Sequence, residues 1–394
     1  MFESLTPPPP DGILALSAAY RADPRERKLD LGVGVYKDDA GRTPVMRAVK
    51  EAERRVLSGQ TSKTYLSPAG DEGFNAAMIA LVFGAEAPTE RLRGVQSVGG
   101  TGAVRLLADL IARAERGATV WLPEPTWPNH APIMRQAGLA FCTYPYFDAA
   151  AGTVDFAGMR DALAEAGPGD VVLLHGCCHN PTGADLDAAQ WREIAELAVA
   201  GGFTPFIDLA YQGFGDGLEA DAEGVRILAA HVPELLVAAS CSKNFGLYRD
   251  RIGCAIVLGA TPEAADLAKE TLKSVARVTN SMPADHGAAV VRTILQDADL
   301  RADWQAELDA MRERMLETRK TLADALRART NSGRFDAVAG QRGMFSLLGI
   351  GPDEVDALRA EHGVYVVGDG RINVAGLNAD GIEMLVSALA AVQR

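Results

Sequence analysis

Cysteine is scarce: Cys142, Cys177, Cys178, Cys241 and Cys254 are the only five in 394 residues, and no two form a C-x-x-C pair. An odd set without that spacing argues against a disulfide framework or a zinc site, and it fits reduced thiols in a cytosol. Positive charge is also short, with 39 Lys and Arg against 52 Asp and Glu, a net charge of −13 and a pI near 5.0. Nucleic acid and anionic membrane surfaces are therefore excluded as main partners, and a small anionic substrate would need arginines gathered locally. No apolar run approaches the roughly 18 residues of a membrane helix. The opening MFESLTPPPPDG has no basic segment leading into an apolar one, so a signal peptide is not expected and the expected location is the cytoplasm. Both nucleotide-loop fingerprints are missing. No G-x-x-x-x-G-K-[ST] occurs, and Gly100 and Gly102 are followed by Arg105 where a third glycine would stand, which removes a dehydrogenase reading.

What is present has ordinary globular composition, 48% hydrophobic and 23% charged. The length exceeds what one core usually supports, so about two domains are expected. Residues 1–12, with four consecutive prolines, read as a stiff N-terminal arm. Residues 43–307 read as a large domain, and 13–42 with 308–394 as a smaller α+β domain. Short apolar strands are expected at 118–122, 139–144, 170–174, 203–208, 235–239 and 253–258, alternating with helical segments, which implies an α/β fold with a mostly parallel sheet. LDLGVGVY, residues 29–36, reads as a further strand running into a glycine loop, and 300–329 as a long helix bridging the domains. A helix is expected to open near Gly102. In parallel sheets ligands bind beyond the carboxyl ends of strands, and five such ends present Thr101, Trp127, Asn180, Asp208 and Lys243.

Lys243 leaves a buried strand in VAASCSKNFGLYRDRIG. Desolvation there would lower its pKa and free the amine to form a Schiff base, for which the aldehyde of pyridoxal phosphate is the common biological partner. Ser240, Ser242 and Arg251 suit the adjoining phosphate, as do the free amides of the helix start at Gly100 and Thr101. Asp208 could keep a pyridine nitrogen protonated, Trp127 could stack on a flat ring, and Asn180 and Tyr211 could hold a phenolic oxygen. Arg371, between Gly370 and the apolar INVAG, should be nearly buried and so needs an anionic partner, either a substrate carboxylate or a structural acid. Gly34 could admit a ligand close to the backbone. His175 and His179 are four apart but lie in Gly/Cys/Pro sequence with no third ligand at useful spacing, so no metal site is expected.

Taken in order, GGTGA, PTWPNH, HGCCHNPTG, DLAYQGF, SCSKNFGLYRDRIG and GRINVAGL resemble the class I pyridoxal-phosphate-dependent aminotransferases, the aspartate and aromatic amino acid aminotransferase family, over nearly the full length. The resemblance implies the fold type I architecture, a large domain with a mostly parallel seven-stranded sheet plus a smaller α+β domain. It implies a ping-pong exchange between 2-oxoglutarate and aspartate or an aromatic amino acid. Lys243 would carry the pyridoxal phosphate and shuttle protons, with Asp208 on the pyridine nitrogen supported by His130. Gly34, Trp127, Asn180 and Arg371 would meet the substrate, Arg371 through its α-carboxylate. Tyr65, catalytic and cofactor-binding, and Arg277, for a side-chain carboxylate, would come from the second subunit of a homodimer with shared sites. A lyase or decarboxylase on the same fold is the alternative. One departure concerns specificity: relatives read Y-S-N-P-P or Y-S-x-P-P where this chain has Asn280, Ser281, Met282, Pro283 and Ala284.

Overall fold

The computed structural model describes residues 1–7 and 12–393, so most of the expected proline run lies outside the described residues. A seven-stranded sheet organises the rest. Its strands are β1 (Leu92–Val98), β2 (Thr119–Glu124), β3 (Ala140–Pro145), β4 (Val171–His175), β5 (Thr204–Leu209), β6 (Leu235–Ser240) and β7 (Ile252–Leu258). Their spatial order is β1-β7-β6-β5-β4-β2-β3. Only β7 is antiparallel to its neighbours, and six strands therefore point their carboxyl ends to one edge. Every residue of β4, β6 and β7 is buried, which is why these segments read as continuous apolar runs. Successive residues still serve opposite faces. Val171 and Leu173 belong to one hydrophobic cluster, while Val172 and Leu174 belong to the other.

Helix α1 (Gly99–Ala114) follows β1 directly and packs on β1, β6 and β7. Helix α2 (Pro262–Thr279) starts cleanly because the Thr261 hydroxyl accepts from the Ala264 amide and Pro262 presets the first turn. Helix α3 (Ala298–Thr330) is capped by Asp297, whose carboxylate accepts from the Asp299 and Leu300 amides. Its buried Leu300, Trp304, Leu308 and Met315 join one of the sheet's clusters. Leu322 and Leu326 join a third cluster made of Leu31 and residues between Phe335 and Leu389. Among the described residues no helix is long and apolar enough to cross a membrane.

Two local expectations need correction. The 29–36 run is a strand only at Leu29–Asp30, paired with Val364–Tyr365. Beyond it the carbonyls are taken by side chains: Arg371 donates to Gly32 O at 3.0 Å, and Asn373 donates to Val33 O and Val35 O at 2.7 and 2.8 Å. Side-chain donors thus replace a ladder and leave the segment free to bend around the site. Helix α1 opens at Gly99, three residues before the expected Gly102, so its first turn lies closer to the sheet edge.

Gly253 in β7 shows how tightly that edge is built. A Cβ there would stand 2.6 Å from the carbonyl carbon and oxygen of Gly99 and 2.8 Å from Ala239 O, all of them backbone. Gly253→Ala should lower stability by about 1–3 kcal/mol, the usual cost of overpacking, read as an earlier midpoint in urea unfolding. An unchanged midpoint would show that strand and helix can part at no cost.

Candidate active site

At the carboxyl edge of the sheet, Gly100, Thr101, Trp127, His175, Asn180, Asp208, Tyr211, Ser240, Ser242, Lys243, Tyr248 and Arg251 line one cavity of about 150 Å³. The parallel ladder sets the spacing of its two central groups. Asp208 ends β5 opposite Ala238 of β6, and β6 then delivers Lys243 a few residues later. Asp208 is buried, and burial alone would raise its pKa. The hydrogen bond from His130, Nε2 to Oδ2 at 3.0 Å, and the positive charge nearby, that of Lys243 included, outweigh that, and the carboxyl lies below its usual value. His130 is itself fully buried, and Trp127 stands edge-on to it at 5.2 Å. The Thr126 hydroxyl meets His130 Nδ1 at 2.8 Å and His175 Nε2 at 3.1 Å. Desolvation brings His175 down to about 3, so this ring is neutral at physiological pH.

Lys243 keeps some accessible surface, facing the cavity, while its amine is removed from bulk water. Desolvation lowers its pKa to about 8, overriding the attraction of Asp208 and aided by Arg251. At pH 7 about one amine in ten is then free, against about one in three thousand at the ordinary value. Tyr211 packs beside it, its ring centre 4.6 Å from Nζ. The loop that follows is anchored from α3: Trp304 stacks on Phe245 at 4.4 Å and donates from Nε1 to Asn244 O at 2.7 Å.

Across the cavity, the start of α1 has no side-chain cap, leaving its first amides for an outside acceptor. Arg251 pairs with no acid among the described residues. Its Nη1 donates to Ser242 Oγ at 3.3 Å and Tyr248 O at 3.1 Å. Its guanidinium crosses Gly99, which has a φ of +69°, so closely that a Cβ there would lie 2.6 Å from Nη2. Hydroxyls, amides and an unpaired guanidinium together form a seat for a dianion.

Arg371 is buried, and among the described residues its guanidinium forms no ion pair; the nearby Asp369 carboxylate accepts instead from the Arg371 backbone amide at 3.0 Å. Besides Gly32 O, Arg371 donates to Asn180 Oδ1 at 3.2 Å, and its Nε has no partner. Its guanidinium lies 4.3 Å from the ring centre of Phe345. Gly34 lies against the tip of this ring, and a Cβ at position 34 would stand 2.6 Å from Phe345 Cζ. The closeness expected of Gly34 is thus first of all to an aromatic ring. Tyr65 and Arg277 are not brought to the cavity by this chain: Tyr65 is 90% exposed, and Arg277 is exposed at the end of α2, donating to Ser281 Oγ at 2.6 Å. The loop of Tyr65 adjoins the turn that follows the helix of Arg277, where the Leu66 amide meets Met282 Sδ at 3.2 Å.

Comparison with known proteins places this geometry. The family model described as aminotransferase class I and II matches residues 26–389. The chain belongs to that family. The aromatic-amino-acid aminotransferase of Paracoccus denitrificans is 51% identical over 389 residues, covering 99% of each chain. The aspartate aminotransferase of Escherichia coli K12 is 45% identical over 395 residues, covering 100% of each. A crystal structure of the aromatic-amino-acid aminotransferase from Burkholderia pseudomallei, covalently bound to pyridoxal phosphate, superposes with a TM-score of 0.97 at 39% identity, covering both chains fully.

The chain is therefore an aminotransferase of a pyridoxal-phosphate-dependent family, and the lyase or decarboxylase alternative falls. The residues present fit the cofactor: a desolvated amine for its aldehyde, a buried carboxylate for its ring nitrogen and a cluster of hydroxyls, amides and a guanidinium without an acid for its phosphate. Two participants escaped sequence reasoning. Tyr248 lines the cavity and accepts from the Tyr36 amide at 3.1 Å, and its only signal was its place between Lys243 and Arg251. Phe345 carried no signal beyond an apolar run.

The lowered pKa of Lys243 makes cofactor capture pH-dependent. Apoprotein mixed with pyridoxal phosphate should react about ten-fold more slowly for each unit the pH falls below the lysine's pKa, because only the free amine attacks. The rate should level off above a pH of about 8. Rapid-mixing absorbance measures this, and a flat profile below that pH would show that deprotonation of the amine does not limit capture.

Proposed function

We propose that this aminotransferase moves the amino group of aspartate and of aromatic amino acids to 2-oxoglutarate in ping-pong half-reactions. The observation that carries the reading is Arg371, a buried guanidinium without an acid, hydrogen-bonded to the same Asn180 that lines the cavity of Lys243 and Asp208. A buried cation is costly unless an anion joins it, and every amino acid and 2-oxo acid brings an α-carboxylate. Bound, the cofactor supplies an electron sink for the substrate's Cα–H bond. Asp208 holds the proton on the ring nitrogen, and His130 keeps the carboxylate charged and oriented. Trp127 covers the ring, Asn180 and Tyr211 donate to its phenolic oxygen, and Gly100, Thr101, Ser240, Ser242 and Arg251 hold the phosphate. Lys243 Nζ, as the free amine that its lowered pKa favours, takes the proton from Cα.

The chain works in this reading as a homodimer in the cytoplasm, with residues 13–42 and 308–394 forming a smaller domain over the large one. Exposed Leu57, Tyr65 and Val278 offer an apolar surface of the kind a second copy covers. From there Tyr65 reaches the neighbour's phosphate and Arg277 the neighbour's substrate side chain. Support for two substrate classes comes from the tie of Arg277 to a neutral hydroxyl, Ser281 Oγ, which it can exchange for a carboxylate or leave when a ring enters. Asn280, Met282 and Ala284 line the same turn with smaller or more flexible groups than the relatives' pattern.

Lys243→Ala should abolish turnover and the visible absorbance of the bound cofactor while leaving the circular dichroism of the fold intact; residual turnover would end this mechanism. Arg277→Leu should lower kcat/KM for aspartate by about 10- to 100-fold, the worth of a charged hydrogen-bonded contact. Phenylalanine should be spared within about three-fold, and equal losses would give the arginine another task.

A further inference from the structure

Arg319 of α3 is wholly buried at the junction of two hydrophobic clusters, where apolar Met315 and Leu322 flank it along the helix. Among the described residues no acid meets it. Its partners are instead neutral oxygens of one segment: Nη1 donates to Ser346 Oγ at 2.6 Å and Val338 O at 3.4 Å. Nη2 donates to the carbonyls of Arg342, Gly343 and Phe345 at 3.1, 2.7 and 2.7 Å. Desolvating a guanidinium costs several kcal/mol, and well-packed apolar side chains are often the more stable occupants of such sites. The question is what the wrapped segment does.

Phe345–Leu347 is the strand that pairs antiparallel with Arg371–Asn373, with Phe345 opposite Asn373 and Leu347 opposite Arg371. The same segment puts the Phe345 ring beneath the Arg371 guanidinium and edge-on to Tyr211 at 6.2 Å. At its other end the Arg342 amide donates to Gly183 O at 2.7 Å, and Gly343 lies so close to Cys178 that a Cβ there would stand 2.3 Å from the cysteine's Cβ. Cys178 and Gly183 flank Asn180, which accepts from Arg371. Backbone register, aromatic floor and amide partner of Arg371 are thus all borne by the stretch that closes around one buried cation.

We infer that Arg319 is a positioning residue for the substrate-carboxylate clamp, fixing Arg371 through Phe345, its strand and the 178–183 loop. The inference rests on the proposed role of Arg371. A clamp for the α-carboxylate serves every substrate of the enzyme and none of the cofactor, and this separates positioning from general support of the fold.

The test uses the holoenzyme. Arg319→Met removes all five donors at similar volume, Arg319→Lys keeps the charge with fewer of them, and Ser346→Ala deletes a single acceptor. Should Arg319→Met not accumulate as folded protein, the other two carry the measurement. Expected in the lysine variant is a rise of about ten-fold in KM for both an amino acid and 2-oxoglutarate. The inhibition constant of 3-phenylpropionate, a carboxylate that cannot react, should rise equally. The saturated rate and the absorbance of the bound cofactor should stay near wild type, and Ser346→Ala should move the same constants by a smaller factor. Unchanged KM and inhibition constants beside a lowered melting temperature would overturn the inference and leave Arg319 a support of the fold. Arg371→Leu distinguishes the two levels: if it too leaves 3-phenylpropionate unaffected, the reading of Arg371 fails; if it weakens that ligand while the Arg319 variants do not, only the positioning role fails.

Discussion

A carboxylate and an amine held at the ends of neighbouring parallel strands are the constraint around which this molecule is built. Asp208 stays charged because His130, at the start of a short helix, donates to it and, with the charge of Lys243, outweighs the cost of burial. Lys243 loses its proton readily because the same dry environment acts on a cation with weaker compensation. One low-dielectric setting therefore shifts two groups in the useful direction. The rest of the cavity answers to it: aromatic Trp127 and Tyr211 keep it dry, and an uncapped helix with Arg251 waits at the opposite side.

Strand pairing makes that arrangement rigid. Slipping β5 past β6 by one residue would turn Asp208 toward the other face of the sheet, and both strands are pinned on each side by neighbours that share their buried, apolar character. The positions where glycine is required, such as Gly253 and Gly99, lie where backbone and Arg251 crowd together. At these two positions the sheet edge leaves no room for an added side-chain atom.

Much of this was legible in the chain. The strands of the central sheet announce themselves because parallel strands covered on both faces need unbroken apolar runs. Several of the residues that line the cavity announce themselves because they follow such a run. The 29–36 segment misled because its apolar alternation is satisfied by Arg371 and Asn373 from some 340 positions away in the chain, a compensation no local pattern encodes. Phe345 and Arg319 were silent for a related reason: their importance lies in what they hold, and a buried arginine among carbonyls reads in sequence as one more charge on a helix. Tyr65 and Arg277 stand out only by likeness to relatives, since nothing within a single chain draws them to the cavity.

Helix α3 gives the architecture a mechanical property. Near its start Trp304 grips the loop that carries Lys243, and fifteen residues on, a rod of about 22 Å later, Arg319 grips the strand that pairs with that of Arg371. A stiff beam bolted at two such points cannot pivot at one without dragging the other. The loop that carries Lys243 and the strand that pairs with Arg371 are thereby set on one common rod, and the distance between them is fixed by the pitch of a single helix.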